Sequence, residues 1–555
     1  MLYLKRMMKI RISNIKIQSG LFFLGLIFFA SCGNNKQEES KAIFKYNESN
    51  GIGSLDPAFS KDLASINACE QIYNGLVQLD SNLLTIPSIA KSWNISSDYL
   101  RYTFFIGENI FFHDNECFEE GVGRRVKAQD FVYSLSRILD PQIASPGLWI
   151  FDKVDKNWGS NGFNALNDST FQIQLKEPYS PFLSLLSTKY CSVIPIEAID
   201  YYKEAFRNHP VGTGPFQFKF WEEGLKLVLV KNENYFEEGL PYLDAVNVSF
   251  LVDKQSEFLL FLQQEIDYIS GISPALKEEL IISSGDLNPK YLGVFQMLKA
   301  PYLNTEYIGI LMDTSYAIVN NSPLRSLAFR KALNYSIDRK KMLKYIQKNI
   351  GEAAEYGFIP TGLWPNKYPR AKGYDYQPQK AKDLFEQAKK ELQVSEFPII
   401  SISATSKSVD ICKYLQHEWS QFGIETQIEL NQWAALREMV ANSKTTLFRA
   451  SWIADYPDAE NYLLLFNSHL FSPKGPNYTH FHLDEYDRKL KMLNFVKNID
   501  EKFNSYRVLD SIIMANASVI PLFYDEVIRF VNPDIKGFEP NSMNLMVLKN
   551  IKKRK

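Results

Sequence analysis

Long apolar runs are scarce in this 555-residue chain, and the conspicuous one, Leu21–Ala30 (LFFLGLIFFA), has only ten residues. A helix crossing about 30 Å of hydrocarbon takes roughly 20, so this run does not span a bilayer. Cysteine is scarce too: Cys32, Cys69, Cys117, Cys191 and Cys412 are widely spaced, with no C-x-x-C, which excludes the common zinc frameworks. Charge of one sign is missing, with 62 Lys+Arg against 63 Asp+Glu. The only basic cluster noted is the terminal KKRK, read as a solvated tail, and nucleic acid is excluded as a partner. Catalytic signatures are missing as well. There is no H-E-x-x-H, no G-x-S-x-G and no G-x-x-x-x-G-K-[ST]. Gly212-Thr213-Gly214 runs straight into Pro215, which suits a rigid turn rather than a dinucleotide loop. No enzyme activity, cofactor or metal is implied.

What is present is a folded composition, 45% apolar and 23% charged, with 30 Tyr and 39 Phe. At roughly 150 residues per domain the length suggests about three domains. Lys5, Arg6, Lys9, Arg11 and Lys16 precede the apolar run, and small Ala30 and Ser31 lead into Cys32. That order fits an export signal, and it resembles a bacterial lipoprotein signal in which Cys32 is lipidated and becomes the new N-terminus. Residues 33–40 read as a polar tether. The remaining four cysteines leave two alternatives open, one or two disulfides or four buried thiols.

Periodicity sketches the rest. "AIFKY" (42–46), "RYTFFI" (101–106) and "DSTFQIQLKEP" (168–178) read as strands, and "PFQFKFWEEGLKLVLVKN" reads as a hairpin turning at Glu223-Gly224. Helices are expected over 64–76, over "KAQDFVYSLSRILD" up to Pro141, and over "SPLRSLAFRKALNYSIDRKKMLKYI", opened by Ser322 as N-cap with Pro323 first. In the C-terminal half, "FPIISISAT", "IETQIELN" and "TTLFRASWI" alternate with the helices "QKAKDLFEQAKKEL" and "VDICKYLQHEWSQFG", which implies β–α–β units and a parallel or mixed sheet. His480 and His482 would share a strand face, and Asp455 and Asp458 lie close in sequence. A surface or packing role is expected for the histidines, and capping and turn formation for the acids.

The segment "RASWIADYPDAENYL" (449–463) is the strongest candidate site. If 449–455 is extended, Arg449, Ser451, Ile453 and Asp455 share one face, and Ala450, Trp452, Ala454 and Tyr456 the other. A carboxylate there could hold an ammonium and an arginine a carboxylate, as a ligand with two oppositely charged ends requires.

"SLDPAF", "QIYNGLVQLD", "PSIAKSW", "VKAQDFVYSLSRILDPQIASP", "VGTGPFQF", "LRSLAFRKALNYSIDRKKM" and "ASWIADYPDAENYL" occur in the order and at the spacing of one family. Over nearly its whole mature length the chain resembles the family 5 extracellular solute-binding proteins, the dipeptide- and oligopeptide-binding components of ABC importers. The resemblance implies a two-lobed α/β periplasmic-binding-protein fold of the class II type, with mixed sheets and an extra domain in the first lobe. Domain I would comprise 41–73, 191–300 and 510–555, domain II 74–190, and domain III 301–509. It implies that Asp455 holds a peptide's α-ammonium and Arg449 meets its carboxylate. Trp433, Trp452 and Tyr307 would line the cleft, with Lys61, Asp62, Leu63 and Arg437 as further contacts. Short peptides, a permease and a membrane reached through the lipid anchor are the implied partners of a monomer in the cell envelope. Non-peptide solutes and a sensor role are the alternatives.

The sequence departs from the family in several places. Lys61 stands where the oligopeptide binder has an acid, Gly147 where it has tyrosine and Val440 where it has a second arginine. A cysteine pair of some members aligns with Asn304 and Ile453.

Overall fold

Two long strands, Gln296–Ile310 and Val519–Val531, run antiparallel through the middle of the molecule. The computed structural model describes residues 41–496 and 498–554, so the export segment, Cys32 and the tether expected over 33–40 lie outside the described residues. Among those described, no helix is long and apolar enough to cross a membrane.

The long strands join one eleven-stranded mixed sheet among the described residues. On one side, Leu447–Ile453 pairs antiparallel with Gln296–Ile310, then Ile400–Ala404 and Thr426–Leu430 follow in parallel. Helix Val409–Ser420 makes the crossover between those last two, as parallel neighbours require. On the other side, Tyr268–Ile269 pairs with Val519–Val531, followed by Ile43–Asn47, Ala245–Ser249, Lys226–Lys231 and Phe216–Glu222. The expected hairpin is there, and Gly224 takes the left-handed φ of +73° that its turn needs.

The two largest cores divide the same way. One gathers buried residues from Ala42 to Val248 with Ile535, Met546, Leu548 and Ile551. The other runs from Leu303 to Phe523 and contains Trp419, Phe358 and Tyr462. Within the first, the strands Ala90–Ile95, Arg101–Ile106, Thr170–Gln174 and Phe163–Asn167 form a separate antiparallel sheet. Helix Ala128–Leu139 covers it, burying Phe131, Leu135 and Ile138 as the spacing predicts, with the Phe131 ring 5.7 Å from Phe171.

Two expectations are corrected. The helix expected over 64–76 ends at Ile72, where Gly214 N–H donates to the Ile72 carbonyl and Gly212 and Gly214 leave no room for a Cβ. The single helix expected from Ser322 is broken: Ser322 caps only a short turn, Ser326 caps Leu327–Tyr335, and Asp338 caps Arg339–Met342. Each serine or aspartate offers the next amide a local acceptor, which restarts the helix instead of extending it. Cys69, Cys117, Cys191 and Cys412 are free thiols, and all but Cys117 are buried.

Candidate ligand site

The site builds up along the pair formed by Gln296–Ile310 and Leu447–Ile453. Arg449 lies opposite Ile308, Ser451 opposite Glu306 and Ile453 opposite Asn304. Ala454 N–H donates to Leu303 O at 2.9 Å, which extends the register by one pair before the chain bends at Asp455. Partners across an antiparallel pair share a face. One face therefore carries Asn304 and Glu306 with Ile453, Ser451 and Arg449, and Asp455 follows at the bend two residues past Ile453. Asn304 and Ile453, the positions of the cysteine pair in some family members, are direct neighbours here.

Asp455 keeps surface open to water yet has protein on most sides. Burial raises its carboxyl above the usual range, partly offset by a hydrogen bond from Asn461. Among the described residues, no cation lies within 4 Å of it. Buried Asn461 organises the segment, because its Oδ1 accepts from Trp452 Nε1 at 2.8 Å and from Asp455 N–H at 3.4 Å.

Arg449 is placed differently from a free carboxylate receptor. It is 8% exposed; Nη2 donates to Glu306 and Nη1 to the carbonyls of Ala450 and Tyr307. Its cation already has a protein counterion. Tyr307 also departs from expectation. It shares the opposite face with Ala450 and Trp452 and packs in the core, 4% exposed, edge-on to Phe358 at 5.0 Å. Trp452 packs half-buried on that face. Trp433 is 64% exposed at the start of helix Trp433–Ala441, with the Arg437 guanidinium 5.9 Å from its ring. That helix packs Leu436 and Val440 on Phe448, on the face away from Arg449.

Lys61, Asp62 and Leu63 are exposed at the head of helix Leu63–Ile72, where Asp62 accepts from Ser65 N–H at 2.9 Å and caps it. The charges of Asp62 and Asp455 nevertheless both bear on Tyr190, a residue the motifs did not flag. Burial, then the charges of Asp455 and Asp62, push its hydroxyl up to about 12. The Tyr190 ring lies over Gly147, where a Cβ would come within 2.5 Å of it. Beside this point the two halves touch: Tyr179 OH is 3.2 Å from Tyr456 OH and 3.4 Å from Glu460 Oε2, and the Trp149 ring is 6.0 Å from Tyr456.

The side groups considered for metal or acid–base work have other surroundings. His480 is buried and stacked on Phe471 at 4.5 Å, and His482 sits exposed beside Asp484. Asp458 takes Lys502 at 2.9 Å and Tyr506 at 2.6 Å and caps Glu460.

A two-lobed α/β fold whose halves touch beside a carboxylate lacking a counterion is the architecture of a solute-binding protein. Residues 85–472 match the family described as bacterial extracellular solute-binding proteins, family 5 Middle, and the chain belongs to that family. It is similar to heme-binding protein A of Haemophilus influenzae, 26% identical over 502 residues, covering 87% of each chain. The glutathione-binding protein GsiB of Escherichia coli O1:K1 / APEC is 25% identical over 532 residues, covering 94% of this chain and 96% of the relative. The solved structure of HbpA2 from Haemophilus parasuis shares the fold at a TM-score of 0.80, with 20% identity, 92% of this chain and 100% of the other covered. Members of this family are the solute-binding components of ABC importers, not enzymes.

Proposed function

We propose that this chain captures short peptides by their α-ammonium at Asp455 and delivers them to the permease of an ABC importer. The observation that carries the reading is the Asp455 carboxylate, open to water yet, among the described residues, without a protein cation within 4 Å, in a segment held by Asn461 and near Tyr190. A partly desolvated carboxylate lacking a counterion is stabilised when a ligand supplies one. Relatives named for dipeptides and for glutathione support a ligand of this kind. Residues 41–73, 191–300 and 510–555 with the inserted 74–190 form one lobe in this reading, and 301–509 the other. The hinge is the pair of long strands, and closure brings Asp62 and Tyr190 onto a ligand held at Asp455. Cys32 carries the lipid that holds the protein at the envelope membrane, and the protein acts as a monomer.

The test is a thermal-shift series on the exported chain, stripped of ligand, with di- to pentapeptides beside their N-acetylated forms. A peptide at a hundred times its Kd adds about 2.7 kcal/mol of stability. Free-amine peptides should stabilise the protein, acetylation should abolish the shift, and Asp455→Ala should weaken binding by about 2–5 kcal/mol. Equal shifts with acetylated peptides would remove Asp455 from the anchor role, and no shift with any peptide would overturn the peptide reading.

A further inference from the structure

Asp525 lies in the strand Val519–Val531 where the register against Gln296–Ile310 shifts, between the pairs Pro301↔Glu526 and Thr305↔Tyr524. A bulge of this kind re-aims side chains. Here it gathers Asp525, Asn304 and Glu306: Asn304 Nδ2 donates to Glu306 Oε1 at 2.8 Å and to Asp525 Oδ2 at 3.2 Å. That bridging fixes which end of the amide is nitrogen, because the oxygen cannot face two carboxylates. Asn304 is 4% exposed, and its Oδ1 is a buried acceptor with no donor. Arg449 Nε, also buried, is likewise without a partner.

The charges do not close within the protein. Glu306 is taken by Arg449. Asp525 accepts only from Asn304 and from Glu526 N–H, at 2.8 Å, and among the described residues no cation lies within 4 Å of it. An ionised carboxylate can accept about four hydrogen bonds, so about two places remain. Lys277 is the cation whose charge bears on Asp525, from beyond 4 Å, and its Nζ donates to Gln347 Oε1 at 2.8 Å. Burial and the Glu306 charge raise the Asp525 carboxyl, the state of an acid lacking its counterion. A hard dication would want six or more oxygens, which this cluster does not assemble, whereas an ammonium or guanidinium needs only two or three acceptors.

We infer that Asp525, Glu306 and Asn304 form a second subsite, for a cationic side chain of the ligand, beside the amine anchor at Asp455. The inference rests on the peptide reading above. Ile453 lies directly opposite Asn304, and Asp455 follows Ile453 by two residues, a step of at most ~7 Å along the chain. That step is comparable to the reach of a lysine side chain from its own α-ammonium. The preferred ligand is therefore a peptide with a basic residue at its amino end.

The test compares lysyl-, Nε-acetyl-lysyl- and norleucyl-alanyl-alanine by calorimetry on the exported chain, with Asp525→Asn in parallel. The lysyl peptide should bind about tenfold tighter than the other two, as one charge-assisted hydrogen bond in a partly desolvated cleft gives, and Asp525→Asn should erase that ratio. Equal affinity for all three peptides in the natural protein overturns the subsite and leaves the peptide reading standing. A ratio that survives in Asp525→Asn overturns the assignment to these residues. Failure of all three to bind overturns the peptide reading and the subsite with it.

Discussion

Glu460 makes stability depend on pH in a direction opposite to that of most carboxylates. It is 6% exposed, and burial, followed by smaller effects that include the charge of Asp458, pushes its carboxyl from 4.5 up to about 7, against the opposing hydrogen bonds of Tyr456 and Tyr179 and the charge of Lys502. In the unfolded chain the group titrates near its ordinary value. Between pH 4.5 and 7 the folded protein therefore holds a proton that the unfolded chain has released, so stability falls as pH rises through this window. A difference of about 2.5 units at 1.36 kcal/mol each makes the ionised group cost about 3 kcal/mol above pH 7.

Glu460→Gln removes the charge and keeps an oxygen for the Tyr456 hydroxyl. Urea unfolding followed by tryptophan fluorescence at pH 5, 6, 7 and 8 should give nearly equal stabilities at pH 5. The variant should gain on the natural protein with rising pH, by about 3 kcal/mol at pH 8. Asp510, buried beneath Phe358 and also pushed up to about 7, titrates in the same window in both proteins, so the difference between them isolates Glu460. A difference that is flat from pH 5 to 8, or largest at pH 5, would refute the reasoning.

Asp56 and Arg137 form a bidentate pair of 2.5 and 2.9 Å with 4% and 12% of their side chains exposed. Asp56→Ala leaves that guanidinium uncompensated and should cost about 3–5 kcal/mol in urea unfolding, with much of the loss recovered by adding Arg137→Met. At Gly147 a valine would meet the Tyr190 ring at 2.5 Å and drive it away from Asp62 and Asp455. Gly147→Val should weaken peptide binding about tenfold by calorimetry, equivalent to about 1.4 kcal/mol, and Tyr190→Ala in the same background should add little further loss.

Alternation with period two was enough to place Arg449, Ser451 and Ile453 on one face, but the strand ends at Ile453 and the chain bends at Asp455, which periodicity did not show. The same rule shows why Tyr307 could not join them. Its neighbour Glu306 has the right parity, and the tyrosine faces the core with Ala450 and Trp452. The parallel sheet was legible because helices and strands alternate at the spacing a crossover needs. The broken helix after Ser322 was not, since apolar periodicity runs through breaks that only local capping reveals.

What composition and spacing could not reach is pairing across long separations. Glu306 is 143 residues from Arg449, Asp525 is 221 from Asn304, and Tyr190 comes within reach of Asp455's charge from another core. Those partners decide the chemistry. An arginine at position 449 read alone is a receptor for a carboxylate, but paired with Glu306 it is half of a neutral couple, and Asp525 beside it is then the unbalanced charge. Arg449 thus says little about which ligand this member prefers, and the acids that neutralise and surround it say most.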